Sequence, residues 1–384
     1  MNSKRLYLNF NNALKIMYTK RVFPVKVVLK WTRRHIYLFL LIATIPVFLF
    51  DVVGLKWLHV PWLPLGVLGT AISFLISFKN NASYDRLWEA RKIYGGIVNA
   101  SRSFTLMIND FISNKHTENP LTDDELFKIR KEIVMRHIAW MTSLRHALRQ
   151  HKPWEGSISD AAEQEYLSNV EVREWAYSLD EELDGYVNEV EKKEILSKKN
   201  KQAACLNLQS NHLRRLLDDG LIEDFRHMEM QSMMTEFFTL QGKVERIKNF
   251  PYPRQFATLN YFFVWIFIIL LPLGMMHEFE EIGKSVVLDI HEHMKVHSSP
   301  IHIIVEYVGT YFIWFTVPFT AIVSWIFHTM ERIGETTENP FEGNGNDIPI
   351  TTMSRGIEID IRQMIGDDPA LIPEPIELQF GLQM

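Results

Sequence analysis

The sequence predicts an all-α membrane protein with four transmembrane helices and a long helical cytoplasmic region. Three observations lead to this fold class: four apolar stretches, basic residues gathered on one side of them, and a polar middle block rich in Glu, Lys, Arg and Leu. The middle block is poor in glycine and proline and shows no alternating strand pattern, which predicts long helices.

Four stretches are apolar enough to cross a bilayer: Ile36–Phe50, Leu58–Phe78, Phe256–Met276 and Tyr307–Phe327. The last three run 21 residues each, which is long enough for a hydrocarbon core of roughly 30 Å. The first is shorter and needs Val52–Leu55 to reach across. Buried helices of a large soluble protein are the alternative, but four such stretches in one chain favour membrane spans.

Charged residues around the spans set the orientation. Residues 1–50 carry nine Lys and Arg and no Asp or Glu, whereas the loop 277–300 is acidic. By the positive-inside rule, both termini and the middle block face the cytoplasm. The basic N-terminus lacks the pattern of a cleaved signal peptide, so it is expected to be retained. The predicted regions are a basic segment 1–35, spans one and two 36–78, a helical region 79–249, spans three and four 250–330 with the outer loop 277–300, and a tail 331–384.

Composition excludes several function classes. The 384 residues carry a formal charge of −5, which gives no sign of nucleic-acid binding. The single cysteine, Cys205, excludes an intrachain disulfide and any cysteine-based zinc site. The middle block has no phosphate-binding glycine loop and no evident pairing of a nucleophile with a base. We therefore expect neither an enzyme nor an organic cofactor.

Local signals divide the middle block into helices. The sequence Thr122-Asp-Asp-Glu125 is a capping box, which predicts a helix start. Asp218-Asp-Gly220 predicts a turn. The predicted helical runs in the block and the tail are Val170–Lys199, Gln202–Leu216, Ile222–Ile247 and Ser354–Ile365.

Some segments carry more than a hydrophobic pattern. FKNNASYDRLWEARKIYGGIVNASR at Phe78–Arg102 follows span two, and ENPFEGNGNDIP at Glu338–Pro349 follows span four. ERIKNFPYP at Glu245–Pro253 and RGIEIDIRQM at Arg355–Met364 are two more. In this order they resemble the bestrophin family of ion channels, in its bacterial-type branch. The resemblance covers nearly the whole chain, and it implies a homopentamer with one axial pore lined by span two.

Thr70, Phe74 and Phe78 lie four residues apart and share one face of span two. Such a face serves either helix packing or, in several copies around an axis, an apolar constriction that gates ions by dewetting. The resemblance assigns the pore neck of the family to these three residues. Thr70 stands where the family usually has an aliphatic residue, and its hydroxyl should make the neck wetter.

The resemblance also implies a second constriction, which falls on Tyr252 between Pro251 and Pro253. The prolines fix the backbone on both sides and would hold the tyrosine stiffly inward. An ordinary interfacial tyrosine is the alternative at this position.

After span four, the segment resembles the place where animal members of the family hold calcium with a run of acidic residues. In this chain the run from Glu342 has only one other carboxylate, Asp347. Calcium takes six to eight oxygen ligands with several carboxylates, so a tight site is not expected. We expect instead a hydrogen-bonded clasp between neighbouring subunits, formed by Asn339, Pro340, Phe341, Asn344 and Asp347.

The outer loop carries histidines that could in principle bind zinc or copper. They are His291, His293, His297 and His302, next to Glu292. Their spacing fits no tight metal template, so no metal site is predicted.

These observations predict a pentameric channel in the lipid bilayer that passively conducts small inorganic ions. Chloride or another small anion is the expected ion, because animal and plant relatives conduct anions and phenylalanine edges can face an anion. A cation-conducting channel is the first alternative, since a neck of aromatic rings is a soft filter. A membrane-anchored helical scaffold is the second.

Overall fold

The computed structural model of the chain describes residues 25–156, 164–165, 171–293 and 300–376. In these ranges every regular element is helical. The α-helices are α1 Val25–Asp51, α2 Trp62–Phe111, α3 Asp123–Arg149, α4 Arg173–Ala176, α5 Leu179–Leu183, α6 Glu189–Ser197, α7 Lys201–Asp218, α8 Asp224–Asn249, α9 Arg254–His293, α10 Pro300–Thr310, α11 Thr316–Thr337 and α12 Ile350–Met364. Two short 3₁₀-helices are Phe312–Phe315 and Pro369–Leu371.

The described residues divide into two compact units. The membrane unit takes its residues from 23–84 and 252–336, and the polar unit from 85–251 and 337–384. Helix α2 is 50 residues long and contributes to both units. The boundary expected at residue 78 therefore falls inside one continuous helix.

The number of spans agrees with the sequence prediction. Four helical segments are long and apolar enough to cross a membrane: Val28–Asp51, Trp62–Phe111, Arg254–Glu292 and Phe312–Thr337. Helices α1, α2, α9 and α11 bury their apolar faces together, and this burial stabilises the membrane unit. The core includes Phe39 of α1, Ile72 of α2, Phe267 of α9 and Ala321 of α11.

The start of the fourth span differs from the prediction. The stretch expected at Tyr307–Phe327 is interrupted at Tyr311, where α10 ends and a short 3₁₀-helix leads into α11. A β-carbon on Gly283 of α9 would clash with the carbonyl oxygen of Gly309 on α10, and one on Gly309 would lie 2.7 Å from the Val287 side chain of α9. Small residues allow two helix backbones to approach in this way. Helix α10 is therefore a separate element packed on α9, and the span begins at Phe312.

The polar unit forms around α3, α7 and α8. The capping box at Thr122 is confirmed: its side chain accepts a hydrogen bond from the Glu125 amide, and the Glu125 carboxylate accepts one from the Thr122 amide. The core of this unit is aromatic at its centre, with Trp140 of α3 packed against Phe237 of α8. The turn at Gly220 is also present, with a positive φ of 68°.

The single helix predicted at Val170–Lys199 is wrong, because α4, α5 and α6 occupy this range. Ser178 and Asn188 each cap the start of a new helix with their side chains. Gly185 between them takes a positive φ of 80°. Local capping therefore overrides the helix propensity of the surrounding Glu, Lys and Leu residues.

Candidate functional site

The predicted neck residues lie on the exposed face of α2 within the single chain. Phe74 is 62% exposed, Phe78 is 67% exposed, and Thr70 is exposed as well. The buried face of the same helix is formed by residues such as Leu65, Ile72 and Ile76. At 3.6 residues per turn, the two sets lie on opposite sides of α2. The three predicted residues therefore face away from the core of their own subunit.

The exposed face of α2 differs in chemistry from those of the other spans. Within the described residues 36–50, 256–276 and 316–330, the exposed side chains are apolar or aromatic, apart from that of Thr258 near the start of α9. On α2, by contrast, the hydroxyl residues Thr70, Ser73 and Ser77 are exposed between the phenylalanines. A face that mixes hydroxyls with apolar rings suits a water-filled passage better than a lipid surface. Val67, one turn before Thr70, is 65% exposed and extends this face, although the sequence did not single it out.

The two cations nearest to Phe78 on α2, Lys79 and Arg86, are held by partners in their own chain. The Lys79 ammonium lies 2.6 Å from the Glu331 carboxylate, and both side chains are buried. The Arg86 guanidinium donates to the carbonyl oxygens of Glu338 at 2.9 Å and Ile247 at 3.1 Å. Neither side chain is thus presented on the exposed face of α2.

Tyr252 lies in the short non-helical link between Asn249, where α8 ends, and Arg254, where α9 begins. Its side chain is half-buried. The flanking prolines produce this break in the helix, as expected from their missing amide donors. Its role as an aperture remains a prediction.

The residues predicted to form the clasp are buried within the polar unit. Phe341 is 1% exposed and packs its ring 6.1 Å from that of Tyr94. The Asn339 amide donates to the Glu342 carboxylate, and the Asn344 side chain accepts from the Asn346 amide. We call residues 338–347 the carboxyl-terminal loop. The clasp residues on it, Asn339, Pro340, Phe341, Asn344 and Asp347, are all buried within their own chain. Their predicted role between subunits remains a prediction.

Asp347 is the central anion of the carboxyl-terminal loop. Its carboxylate accepts from the guanidinium of Arg149 at 2.5 Å and from the amide of Gly343 at 2.5 Å. Burial raises the pKa of Asp347 to about 7, and the Arg149 charge and the Gly343 amide offset only part of this effect. No local sequence pattern indicates Arg149 as the partner, because it lies at the end of α3, 198 positions before Asp347.

Trp175 holds the same loop from another side. Its indole nitrogen donates to the carbonyl of Arg149 at 3.2 Å. A β-carbon on Gly343 would lie 2.6 Å from the Trp175 ring. Gly343 also has a positive φ of 93°, which glycine adopts without strain. The glycine at this position therefore permits both the turn and the close approach of the ring.

Possible metal ligands lie at the other end of α9. His291 is exposed and lies 3.6 Å from Glu306, whereas the side chains of His293, His297 and His302 lie outside the described residues. His277, Glu280 and Glu281 have ligand atoms within 4.8 Å of one another. Both carboxylates are paired with ammonium groups, those of Lys56 and Lys284. The pairing fits a charge-balanced surface better than a metal site.

The described residues thus form an all-helical membrane protein in which one long helix presents a partly polar face through its membrane segment. The model of the family described as "Bacterial/Fungal Bestrophin protein" matches residues 19–288 and 304–363. These ranges make up most of the chain, and the chain belongs to the bacterial and fungal bestrophin family.

Individual relatives agree with this assignment. A voltage-dependent anion channel-forming protein of Ralstonia nicotianae is 25% identical over 333 residues, which cover 84% of this chain and 86% of the relative. The voltage-dependent anion channel-forming protein YneE of Escherichia coli K12 is 23% identical over 314 residues, covering 82% and 79%. The crystal structure of a bacterial bestrophin homologue from Klebsiella pneumoniae matches with a TM-score of 0.64 at 21% identity, covering 87% and 98%. That structure shares the fold.

Proposed function

We propose that this chain assembles as a homopentameric channel that passively conducts chloride or other small anions. The observation that carries the proposal is the exposed face of α2, where Thr70, Ser73 and Ser77 lie among phenylalanines. The exposed faces of the other spans are apolar or aromatic, apart from Thr258. Five copies of this face around an axis would form a passage. The names of the curated relatives, which are anion channel-forming proteins, support the anion.

In this proposal the neck consists of rings of Thr70, Phe74 and Phe78. An ion that passes the two phenylalanine rings loses hydration and finds few polar groups to replace it. Aromatic edges carry positive partial charge, which favours an anion over a cation. Tyr252 forms the second constriction, and the carboxyl-terminal loop completes the contacts between subunits.

A cation-conducting channel is the second candidate, and one observation favours it. Lys79 and Arg86, the nearest cations after Phe78, are held by partners in their own chain. These side chains therefore add no ring of positive charge next to the neck, and the choice of ion depends on the weaker preference of the aromatic edges.

For the orientation, we propose a bacterial inner membrane with both termini in the cytoplasm. The basic residues before span one and at the cytoplasmic flanks of spans two and three support this orientation. The polar unit then lies in the cytoplasm, and the link between α9 and α10 lies outside.

The test is the reversal potential of the purified protein in a planar bilayer under a tenfold potassium chloride gradient. An anion channel should reverse near the chloride equilibrium potential, about 59 mV from zero. Reversal at the same magnitude with the opposite sign would favour the cation channel. The oligomeric mass in detergent tests the third hypothesis, a membrane-anchored helical scaffold. A protein that is monomeric in detergent and passes no current would favour this scaffold.

A further inference from the structure

A buried ion pair of the membrane unit lies directly after Phe78, the last residue of the proposed neck. Lys79 and Glu331 form an ion pair at 2.6 Å, and their side chains are 3% and 2% exposed. Among the described residues, the second oxygen of the Glu331 carboxylate has no hydrogen-bond partner. Two charges buried in an apolar bundle are costly unless they stay paired, so the pair holds α2 and α11 together at this point.

Two neighbouring contacts join the same helices. The Asn80 side chain donates to the carbonyl of Met330 at 3.1 Å. Gly334 lies so close to the Asn80 side chain that a β-carbon there would have no room. We call this set, Lys79, Asn80, Met330, Glu331 and Gly334, the Lys79–Glu331 clamp.

Nearer its N-terminus, α2 is held in a different way. A β-carbon on Gly69 would lie 2.9 Å from the ring of Phe267 on α9, so the two helices pack tightly there. Ile72 and Ile76 add apolar contacts in the same core. Apolar packing of this kind changes little without leaving a cavity. An ion pair can instead exchange between discrete arrangements, as interface salt bridges do in switching proteins.

We propose that Lys79 and Glu331 are positioning residues for the neck, and that their ion pair sets the equilibrium between closed and open channels. A helix is stiff over one turn, so the position of Phe78 follows that of Lys79. Lys79 itself lies on the buried face of α2 and does not contact the permeating ion. The proposal rests on the proposed channel function, because it concerns the movement of the pore-lining helix.

The test compares single-channel records of two clamp variants with the wild type. Glu331→Gln removes the charge and keeps the shape. The double variant Lys79→Met/Glu331→Met replaces the pair by apolar side chains, which is often neutral for stability. In both variants the ratio of closed to open time should change by about fivefold or more, as is typical of coupling between two sites. A merely structural pair would lower the yield of assembled protein and leave this ratio unchanged.

Glu281→Gln is the matched control, since it removes the same charge from an exposed pair with Lys284. Its ratio should stay at the wild-type value. Phe74→Ala separates the two proposals. Suppose that Phe74→Ala alters the conductance, while both clamp variants assemble and gate like the wild type. The proposed role of the clamp in gating is then wrong, and the proposed channel function is retained. If the wild type passes no current, the channel proposal fails and the clamp fails with it. If Glu331→Gln does not assemble, the double variant decides.

Discussion

Arg149 supplies the counter-charge of Asp347 from within the same chain, with its guanidinium 2.5 Å from the carboxylate. The two side chains are buried to similar extents. A second carboxylate, that of Glu174, lies 3.9 Å from the Arg149 Nε. The charge next to the loop carboxylate is thus supplied by a cation of the same chain.

Removing this cation should destabilise the polar unit. In Arg149→Gln the Asp347 carboxyl stays buried without its counter-charge, and we expect a loss of about 3 kcal/mol. Arg102→Gln is the control, because Arg102 pairs with Asp360 at the surface. That change should cost less than about 1 kcal/mol. Thermal unfolding in detergent checks both variants, and an equal shift in the two would contradict the assigned role of Arg149.

The same arrangement predicts channels that work without calcium. Glu342 and Asp347 are the only carboxylates from Glu342 to Asp347, and Arg149 neutralises the second. Calcium binding needs more carboxylate oxygens than this run offers. Currents measured before and after addition of a calcium chelator should agree. Currents that vanish with the chelator and return when calcium is restored would show that the loop binds the ion.

Local parts of the fold could be predicted from the sequence because their causes are local. The Thr122 capping box lies within four residues, and the apolar spans are continuous in the sequence. That Phe74 and Phe78 share one face of a helix follows from helical periodicity alone, whereas the exposure of that face is seen only in the structure. The broken helix after Val170 was missed because the capping by Ser178 and Asn188 competes with strong helix propensity.

The main polar contacts could not be predicted, because they join distant parts of the chain. Lys79 and Glu331 are 252 positions apart, and Arg149 and Asp347 are 198 apart. No sequence spacing links such residues; only the packing of their helices does. A buried charge demands a partner, but Lys79 and Glu331 both lie just outside the predicted spans, after Phe78 and after Phe327. Their positions in the sequence therefore did not indicate buried charges.

Gly343→Ala should disturb the carboxyl-terminal loop for two reasons. The new methyl would lie 2.6 Å from the Trp175 ring, and the residue keeps a positive φ of 93°. We expect a loss of about 2–4 kcal/mol, which combines backbone strain and overpacking. Gly185→Ala is the control: its φ is 80°, but no atom lies near the added carbon. It should lose only about 1 kcal/mol. Equal losses in thermal unfolding would exclude the Trp175 contact as a cause.

The polar unit should become less stable in acid through His137. Burial lowers the pKa of His137 to about 3, against about 6.5 in an unfolded chain. Because the Ser101 hydroxyl donates to the Ile97 carbonyl, it accepts from His137 Nε2 at 2.9 Å, so the neutral imidazole carries its proton on Nε2. Between pH 6.5 and pH 3 the unfolded state therefore binds more protons than the folded state. The contribution of His137 to the free energy of unfolding is fully present above pH 6.5 and is lost as the pH falls below it. Between pH 8 and pH 5, the wild type should lose about 2 kcal/mol more than His137→Gln. Identical pH profiles of thermal unfolding would contradict this role.

Truncating the neck should open the passage without unfolding the subunit. Phe74 and Phe78 are 62% and 67% exposed in the chain, so replacement of either by alanine removes little buried surface from its own subunit. It widens the apolar ring, admits water and lowers the barrier for a dehydrated ion, and the single-channel conductance or open probability should rise. Thr70→Ala should have a smaller effect, because threonine is already small and its hydroxyl donates to the Gly66 carbonyl.

Phe39→Ala is the matched control, since Phe39 is 1% exposed and its loss should cost about 3–5 kcal/mol of stability. If the Phe74→Ala protein assembles with the same oligomeric mass as the wild type and shows wild-type single-channel conductance and gating, Phe74 does not line the pore. Phe74→Ala that unfolds as readily as Phe39→Ala would instead assign this face of α2 to packing between helices.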